Sequence, residues 1–221
     1  MDVRQISVKK DVLSANSETA ERIRSRLKKH HVRMINIMSS PGAGKTSLIT
    51  ATIHHFKNTC RIAVIEGDIA SSIDAEKISK LNVPAIQINT GGGCHLDANM
   101  IEKAMGDLYL DRLDLVFIEN VGNLVCTADF DLGAHRNVVI LSVPEGDDKP
   151  YKYPLIFAEA DAVLINKVDV LPYFDFDLES FPEIINGLNP SAAVIPVSAK
   201  TGEGLDGWFS WIEQTPGQDN T

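Results

Sequence analysis

The chain has 221 residues, of which 44% are hydrophobic and 23% are charged, and its formal net charge is −9. This length suffices for the core of one large domain, and the excess of acidic groups argues against nucleic acid or an anionic membrane as a partner, because both attract basic surfaces. A polar start, the lack of a long apolar run and only three cysteines argue against a signal peptide, a membrane span and a disulfide framework. We therefore expect a cytoplasmic protein with reduced thiols.

Apolar strand-like runs alternate with helical patterns along the chain. An amphipathic helix is predicted over about residues 17–30, with Ala20, Ile23 and Leu27 on its apolar face. Seven short runs rich in valine and isoleucine follow, at residues 32–38, 61–68, 85–89, 113–120, 137–143, 161–167 and 192–198. Such strands, separated by helix-length segments, are typical of parallel βαβ units. We predict a single three-layer α/β domain over residues 1–213, with a mostly parallel sheet, helices on both faces and a disordered tail at 214–221.

The first predicted strand leads into a phosphate-binding loop, SSPGAGKTSLI. The pattern of a glycine, four residues and Gly-Lys-Thr is present, except that Ser39 stands at the first glycine position. Loop N–H groups and the start of the next helix bind phosphate oxygens, while Lys45 reaches the β- and γ-phosphates and the Thr46 hydroxyl binds Mg²⁺. The predicted phosphate-binding residues are Pro41, Gly42, Ala43, Gly44, Lys45, Thr46 and Ser47.

Two later segments indicate which base is bound. The sixth strand ends in Asn-Lys-x-Asp and the seventh in Ser-Ala-Lys, an order typical of GTPases. The Asp169 carboxylate can accept hydrogen bonds from both guanine N1–H and the 2-amino group, which adenine lacks. We expect the Ala199 N–H to donate to guanine O6. The predicted guanine-binding residues are Asn166, Lys167, Asp169, Ser198, Ala199 and Lys200.

Acidic residues at other strand ends are candidates for the Mg²⁺ shell. Asp68 ends the second strand, Asp74 follows it, and Glu119 ends the fourth, with Gly122 placed to sense the γ-phosphate. The sequence does not choose between Asp68 and Asp74. The predicted catalytic set is Lys45, Thr46, Asp68, Asp74, Glu119 and Gly122. No glutamine follows Gly122 to orient the attacking water, and no arginine occupies an obvious position for an arginine finger. Hydrolysis by the single chain should therefore be slow.

Cys94 and His95 follow three glycines, at the predicted start of a helix, and Cys126 lies four residues after Gly122. Thiolate and imidazole suit Zn²⁺ and Ni²⁺ alike. Neither spacing is a local metal motif, and the residues alone do not show that the three side chains meet. We expect Cys60 to be a small core residue. The histidines at positions 30, 31, 54, 55 and 135 are expected at the surface.

Lys149 lies in EGDDKPYKYP. It is a candidate for a contact with a phosphate or across a dimer, and a solvated surface lysine is an equal alternative.

Five segments together closely resemble the HypB family, the GTPases of nickel insertion into nickel–iron hydrogenase: SSPGAGKT, EGD, GGGCHLDA, ENVGNLVC and EGDDKP. The resemblance runs from about Ser14 to Ile212. It implies a P-loop GTPase fold of the signal-recognition-particle, MinD and BioD class, and a metal site near a dimer axis formed by Cys94, His95 and Cys126. Two features depart from the family: the first thirteen residues contain no nickel-binding cysteine or histidine, and Asn99 stands where some relatives have a histidine.

The resemblance implies a GTP-hydrolysing nickel metallochaperone or switch that uses GTP, GDP and Mg²⁺ and binds Ni²⁺ or Zn²⁺. Its implied partners are a second copy in a GTP-dependent homodimer, a small zinc-containing accessory protein and the hydrogenase large-subunit precursor. One alternative is a urease-maturation GTPase, whose metal element typically contains Cys-Pro-His. A second is a GTPase of cobalamin-enzyme maturation, and a third is an adaptor that binds GTP, holds zinc at its interface and has no significant turnover. The resting oligomeric state and the physiological metal stay open.

Overall fold

A computed structural model of the protein describes residues 8–68, 78 and 80–214, and residues 8–11 by their backbone only. Within these residues seven parallel strands form one sheet, in the order β3-β2-β4-β1-β5-β6-β7. The strands are β1 (Arg33–Ser39), β2 (Ile62–Asp68), β3 (Ala85–Asn89), β4 (Leu115–Gly122), β5 (Arg136–Ser142), β6 (Ala162–Asn166) and β7 (Ala193–Pro196). All seven predicted strands are confirmed, because their apolar runs are buried by layers on both sides of the sheet.

Helices connect the strands. They are α1 (Val8–Lys29), α2 (Lys45–Phe56), α3 (Ala98–Met105), α4 (Lys149–Lys152), α5 (Pro154–Ala158), α6 (Phe181–Leu188) and α7 (Leu205–Gln214). Short 3₁₀ turns lie at Leu110–Arg112, Cys126–Ala128, Val143–Glu145 and Val168–Tyr173. No helix in the part of the chain that the structure describes combines the length and apolar character needed to cross a bilayer.

Alternate side chains of the strands serve different helix layers, as parallel pleated strands require. On one face of the sheet, Ile35 and Ile37 of β1 pack with α2 and α7. On the other face, Met34 packs in the layer that contains α1 and α3, and Met38 packs in the layer that contains α5 and α6. The predicted three-layer α/β architecture is therefore confirmed.

The first helix is longer than the sequence predicted. It begins at Val8 rather than near residue 17 and ends at Lys29. No glycine or proline interrupts this stretch, and Asn16 is fixed by tertiary contacts: its Nδ2 donates to the Asp131 carbonyl at 2.7 Å, and its Oδ1 accepts from the Ala98 N–H at 2.8 Å. Of the predicted tail, Gln214 is the last residue of α7. Residues 215–221 lie outside the described residues.

Two of the histidines that were expected at the surface, His30 and His135, are only partly exposed. His135 is half-buried, and its Nδ1 accepts the Met34 N–H at 3.0 Å. Burial is the main reason that the pKa of His135 lies below its usual value, because the interior disfavours the charged ring. Cys60 is half-buried against the α2 and α7 layer, and burial raises the pKa of its thiol.

Candidate functional site

The phosphate-binding loop lies between the carboxyl end of β1 and the start of α2. Gly42 and Gly44 adopt left-handed backbone conformations, with φ of 76° and 107°. A Cβ at Gly44 would lie 2.3 Å from the Nδ2 of Asn166, so a side chain there would collide with the guanine motif. Glycine therefore serves both the turn and the close approach of the two segments. The loop places the amino terminus of α2, a natural anion site, at the edge of the sheet.

Lys45 and Thr46 begin α2 and point back toward the strand ends. The Lys45 side chain is buried, and its Nζ donates to the Oγ of Ser39 at 3.1 Å. The residue at the first glycine position therefore contacts the lysine, which the loop pattern did not predict. The Thr46 hydroxyl donates to Oε1 of Glu119 at 2.7 Å. The two oxygens that the sequence assigned to Mg²⁺ thus come together, because β1 and β4 are neighbours.

The remaining acidic candidates have different outcomes. Asp68 ends β2 and is partly exposed at the carboxyl edge of the sheet. Asp74 lies outside the described residues, so the choice between these two carboxylates stays a prediction. Gly122 pairs with Ser39 at the end of β4, and a Cβ there would lie 2.9 Å from the backbone nitrogen of Pro41. A glycine at this position lets the end of β4 pack directly against the phosphate-binding loop.

Asn166 connects the loop to the second guanine segment. Its side chain is buried; Nδ2 donates to the Ala43 carbonyl at 2.7 Å, and Oδ1 accepts from the Ala199 N–H at 3.1 Å. The N–H that we expected to donate to guanine O6 therefore already has a partner, and a base would have to share or displace that bond. Lys167, in a left-handed conformation with φ of 66°, donates from Nζ to the Gly42 carbonyl at 2.7 Å.

Asp169 faces a cavity of about 370 Å³ beside the loop. Its Oδ1 accepts from the Ser198 hydroxyl at 2.6 Å, which holds the carboxylate in place. The lining also includes Val170, which the motif did not predict. The full lining is Gly44, Ser47, Asn166, Lys167, Asp169, Val170, Ala199 and Lys200. A cavity with one oriented carboxylate and flanking lysine stems suits a flat base that donates two hydrogen bonds.

The structure brings Cys94, His95 and Cys126 together. Their ligand atoms lie within 4.8 Å of one another, and all three residues are half-buried. Sγ of Cys94 lies 3.6 Å from Nδ1 of His95. A hydrogen bond with Cys94 is the main reason that the pKa of the Cys126 thiol is raised. Two sulfurs and one imidazole nitrogen at this spacing could supply three of the four ligands that a tetrahedral or square-planar metal takes.

Two residues that the sequence did not single out hold this cluster. Asn123 fixes the turn of Cys126, since its Oδ1 accepts from the backbone N–H groups of Val125 and Cys126 at 2.7 and 2.9 Å. The Phe130 ring stacks on the His95 ring, with centroids 3.9 Å apart and planes 15° apart. An asparagine shortly before a turn is a weak signal for the first role; nothing local indicates the second.

Cys94 and His95 lie in a loop and not at a helix start. The next helix, α3, begins at Ala98 and is capped by Asp97, whose side chain accepts the Met100 N–H at 2.8 Å.

Lys149 makes contacts within its own turn. Its Nζ donates to the Glu145 carbonyl and to Oδ1 of Asp148.

Known proteins match this chain over nearly its whole length. The family model of the CobW/HypB/UreG nucleotide-binding domain matches residues 33–196. Hydrogenase maturation factor HypB of Escherichia coli K12 is 50% identical over 210 residues, which are 95% of this chain and 72% of that protein.

Solved structures give the same result for the fold. The crystal structure of HypB from Helicobacter pylori in complex with nickel superposes with a TM-score of 0.86 at 40% identity, covering 91% of this chain and 95% of that one. The signal recognition particle receptor FtsY from Elizabethkingia anophelis superposes with a TM-score of 0.55 at 16% identity, covering 82% of this chain and 65% of that one. The latter likeness concerns the fold alone, and it agrees with the predicted signal-recognition-particle class.

Proposed function

Because the chain belongs to the HypB family of hydrogenase maturation factors, we propose that it is a GTP-hydrolysing switch that binds nickel as cargo and gates its insertion into the precursor of a hydrogenase large subunit. The observation that carries this proposal is the cluster of Cys94, His95 and Cys126, with ligand atoms within 4.8 Å. Its donor set, two sulfurs and an imidazole, binds Ni²⁺ and Zn²⁺ strongly. Nickel is the cargo that the family assignment favours.

The β4 strand and the turn after it connect the nucleotide to the cargo. Glu119 meets the phosphate-binding loop through Thr46, Gly122 packs on that loop, and Cys126 follows four residues later. A γ-phosphate that orders this segment would therefore change the position of one cargo ligand. By linkage, the nucleotide must then change nickel affinity, and nickel must change nucleotide affinity by the same factor.

The residues at the loop fit Mg²⁺-GTP. The Thr46 hydroxyl and the Glu119 carboxylate are 2.7 Å apart and are oxygen donors of the kind that Mg²⁺ prefers. Bound there, Mg²⁺ would neutralise charge on the β- and γ-phosphates. Lys45 supplies a second positive charge, and the α2 amino terminus supplies N–H donors. Asp68 and Asp74 remain the two candidates for the other side of the Mg²⁺ shell.

A second copy of the chain is the partner that completes the cargo site. Three protein ligands leave a four-coordinate metal one ligand short, whereas two chains offer up to six. Val125, beside the cluster, is an apolar side chain that is 57% exposed, so the surface around the cluster is open to a second chain. The proposal includes dimerisation that requires GTP, and slow turnover by the single chain, since no glutamine follows Gly122 and no arginine occupies an obvious finger position.

The remaining partners come from the family assignment. They are a small zinc-containing accessory protein and the hydrogenase large-subunit precursor, with no nucleic acid and no membrane. A cytoplasmic location belongs to the same proposal, because thiols stay reduced there. The role of Lys149 stays open between a contact with a phosphate, a contact across the dimer and a solvated surface lysine, since its Nζ donates within its own turn.

The test of this function is the affinity for nickel, measured by competition with a chromophoric chelator in GDP and in a slowly hydrolysed GTP analogue. We expect the two dissociation constants to differ by about tenfold or more, within the usual range of allosteric coupling. Zinc measured in parallel identifies the preferred metal, and adenine nucleotides serve as the control. Equal affinities in both guanine nucleotides, together with no GTP-dependent phosphate release from the metal-loaded dimer, would leave a zinc-stapled adaptor as the better description.

Asp169→Asn is expected to weaken GTP binding about 100-fold and to favour xanthosine triphosphate, because the amide presents a donor to the xanthine 2-oxo group. Competition of GTP, xanthosine triphosphate and ATP for one labelled nucleotide measures the change. Asp175→Asn is the matched control, since Asp175 is an exposed carboxylate shortly after the same motif. Unchanged GTP preference in Asp169→Asn would remove this residue from the guanine site.

A further inference from the structure

Leu96 anchors the loop that carries Cys94 and His95. It follows His95 directly and is fully buried. Its side chain covers Gly67 of β2 so closely that a Cβ on this glycine would lie 2.7 Å from the leucine. Its backbone N–H donates to Oδ1 of Asn120 in β4 at 3.4 Å. The loop is therefore attached to two neighbouring strands, β2 and β4, whose carboxyl ends lie at the edge of the sheet that carries the phosphate-binding loop.

Asn120 is held in one orientation by its other contacts. It is 1% exposed, its Oδ1 also accepts the Val121 N–H at 2.9 Å, and its Nδ2 donates to Oδ1 of Asn36 in β1 at 3.2 Å. Nδ2 of Asn36 in turn donates to Oδ1 of Asn137 in β5 at 3.0 Å. Amides in an apolar layer are costly unless they are hydrogen-bonded, and a satisfied chain of them restricts rotation. Rotation of Asn120 away from Leu96 would break this chain.

The residue before Asn120 is Glu119, which accepts the Thr46 hydroxyl. We infer that Asn120 is a positioning residue that transmits the nucleotide state from Glu119, through the Leu96 N–H, to Cys94 and His95. The inference rests on the proposed function of the cluster. A shift of β4 at Glu119 moves the adjacent amide, and the cargo loop follows because Leu96 is also fixed on Gly67. Cys126 lies four residues after the end of β4. A shift of β4 would therefore move Cys126 as well as the loop that carries Cys94 and His95.

The chain contains a matched control for this role. Asn16 is also a buried asparagine, 4% exposed, and its Oδ1 accepts the backbone N–H of Ala98, two residues after Leu96 at the start of α3, at 2.8 Å. It lies on α1, however, and its other bond goes to the Asp131 carbonyl. Loss of Asn16 therefore loosens the loop without touching a strand that faces the nucleotide.

The experiment compares full-length wild type, Asn120→Val and Asn16→Val by nickel affinity in GDP and in a slowly hydrolysed GTP analogue. We expect Asn120→Val to reduce the ratio of the two dissociation constants to within about twofold of one, with GTP affinity within about threefold of wild type. Asn16→Val should weaken nickel binding by a similar factor in both nucleotides and keep the ratio.

Thermal melting checks that each variant folds. If Asn120→Val does not fold, Asn120→Ser replaces it, because its hydroxyl is too short to reach the Leu96 N–H and the same loss of the ratio is expected. The role of Asn120 would be overturned if a folded Asn120 variant kept the wild-type ratio of nickel dissociation constants in the two nucleotides. It would also be overturned if Asn16→Val lowered that ratio as much as Asn120→Val does. If the wild-type protein binds nickel with the same affinity in both nucleotides, the proposed function itself is overturned, so the two failures are distinct.

Discussion

Thr46→Ala is expected to lower the rate of GTP hydrolysis at least ~100-fold, a loss of about 2.7 kcal/mol of transition-state stabilisation, while the fold stays intact. The hydroxyl that is lost lies 2.7 Å from the Glu119 carboxylate, and the two oxygens are the ones that we propose to hold Mg²⁺. Lys45→Ala should be at least as damaging, because it removes the buried positive charge of the loop that we propose to bind the phosphates. Phosphate release under saturating GTP and Mg²⁺ measures both variants.

Thr59→Ala is the control for the loss of a threonine near the same helix. Its hydroxyl donates to the Phe56 carbonyl at 3.2 Å, in the turn after α2 and away from the loop. Its turnover and melting temperature should stay close to those of wild type. Normal hydrolysis in both Thr46→Ala and Lys45→Ala would show that this loop does not bind the reacting phosphates, despite its pattern.

Local patterns predicted the fold well. Each strand is a short apolar run between helix-length segments, and this periodicity is set by burial on both faces of the sheet. The phosphate and guanine motifs were also predictable, because each is contiguous and lies at a strand end. The start of α1 was missed, since the contacts of Asn16 with Asp131 and Ala98 lie far away in sequence.

The contacts that organise the site were not predictable for the same reason. Asn166 bonds the carbonyl of Ala43, 123 positions earlier, and no local pattern indicates that bond. The stacking of Phe130 on His95 likewise depends on the sheet placing two loops side by side. The metal cluster has no local ligand spacing, so only the resemblance to a family joined Cys126 to the other two ligands before the structure placed them together.

The stoichiometry of the cargo metal tests the shared site. On the proposed function, three ligands per chain would leave the site incomplete in a monomer, where water would fill the coordination sphere, and complete in a dimer. We expect about one tightly held metal per two chains in the GTP state, with metal strengthening dimerisation. The measurement is metal per chain, by elemental analysis, on monomer and dimer separated by size after loading with a GTP analogue.

Variants of the three cysteines test whether metal binding depends on the cluster or on the loss of any thiol. Cys94→Ala and Cys126→Ala should each weaken metal binding at least ~100-fold and reduce metal-promoted dimerisation, while GTP still binds. His95→Ala should have a milder effect, because water can replace imidazole. Cys60→Ala is the matched control, since this thiol lies in the core against α2 and outside the cluster.

One outcome would exclude a site shared between two chains. If each monomer holds one tight metal, indifferent to the nucleotide and retained in Cys126→Ala, the turn after β4 contributes no ligand. Cys94 and His95 would then form a local site completed by other groups. Ordering of the turn by the γ-phosphate would no longer move a metal ligand. If metal is instead lost from Cys126→Ala and from the monomer alike, the ligand on the turn after β4 and the second chain are both required. Capture and release of the cargo would then follow from the nucleotide, because GTP acts on that turn and on the dimer together.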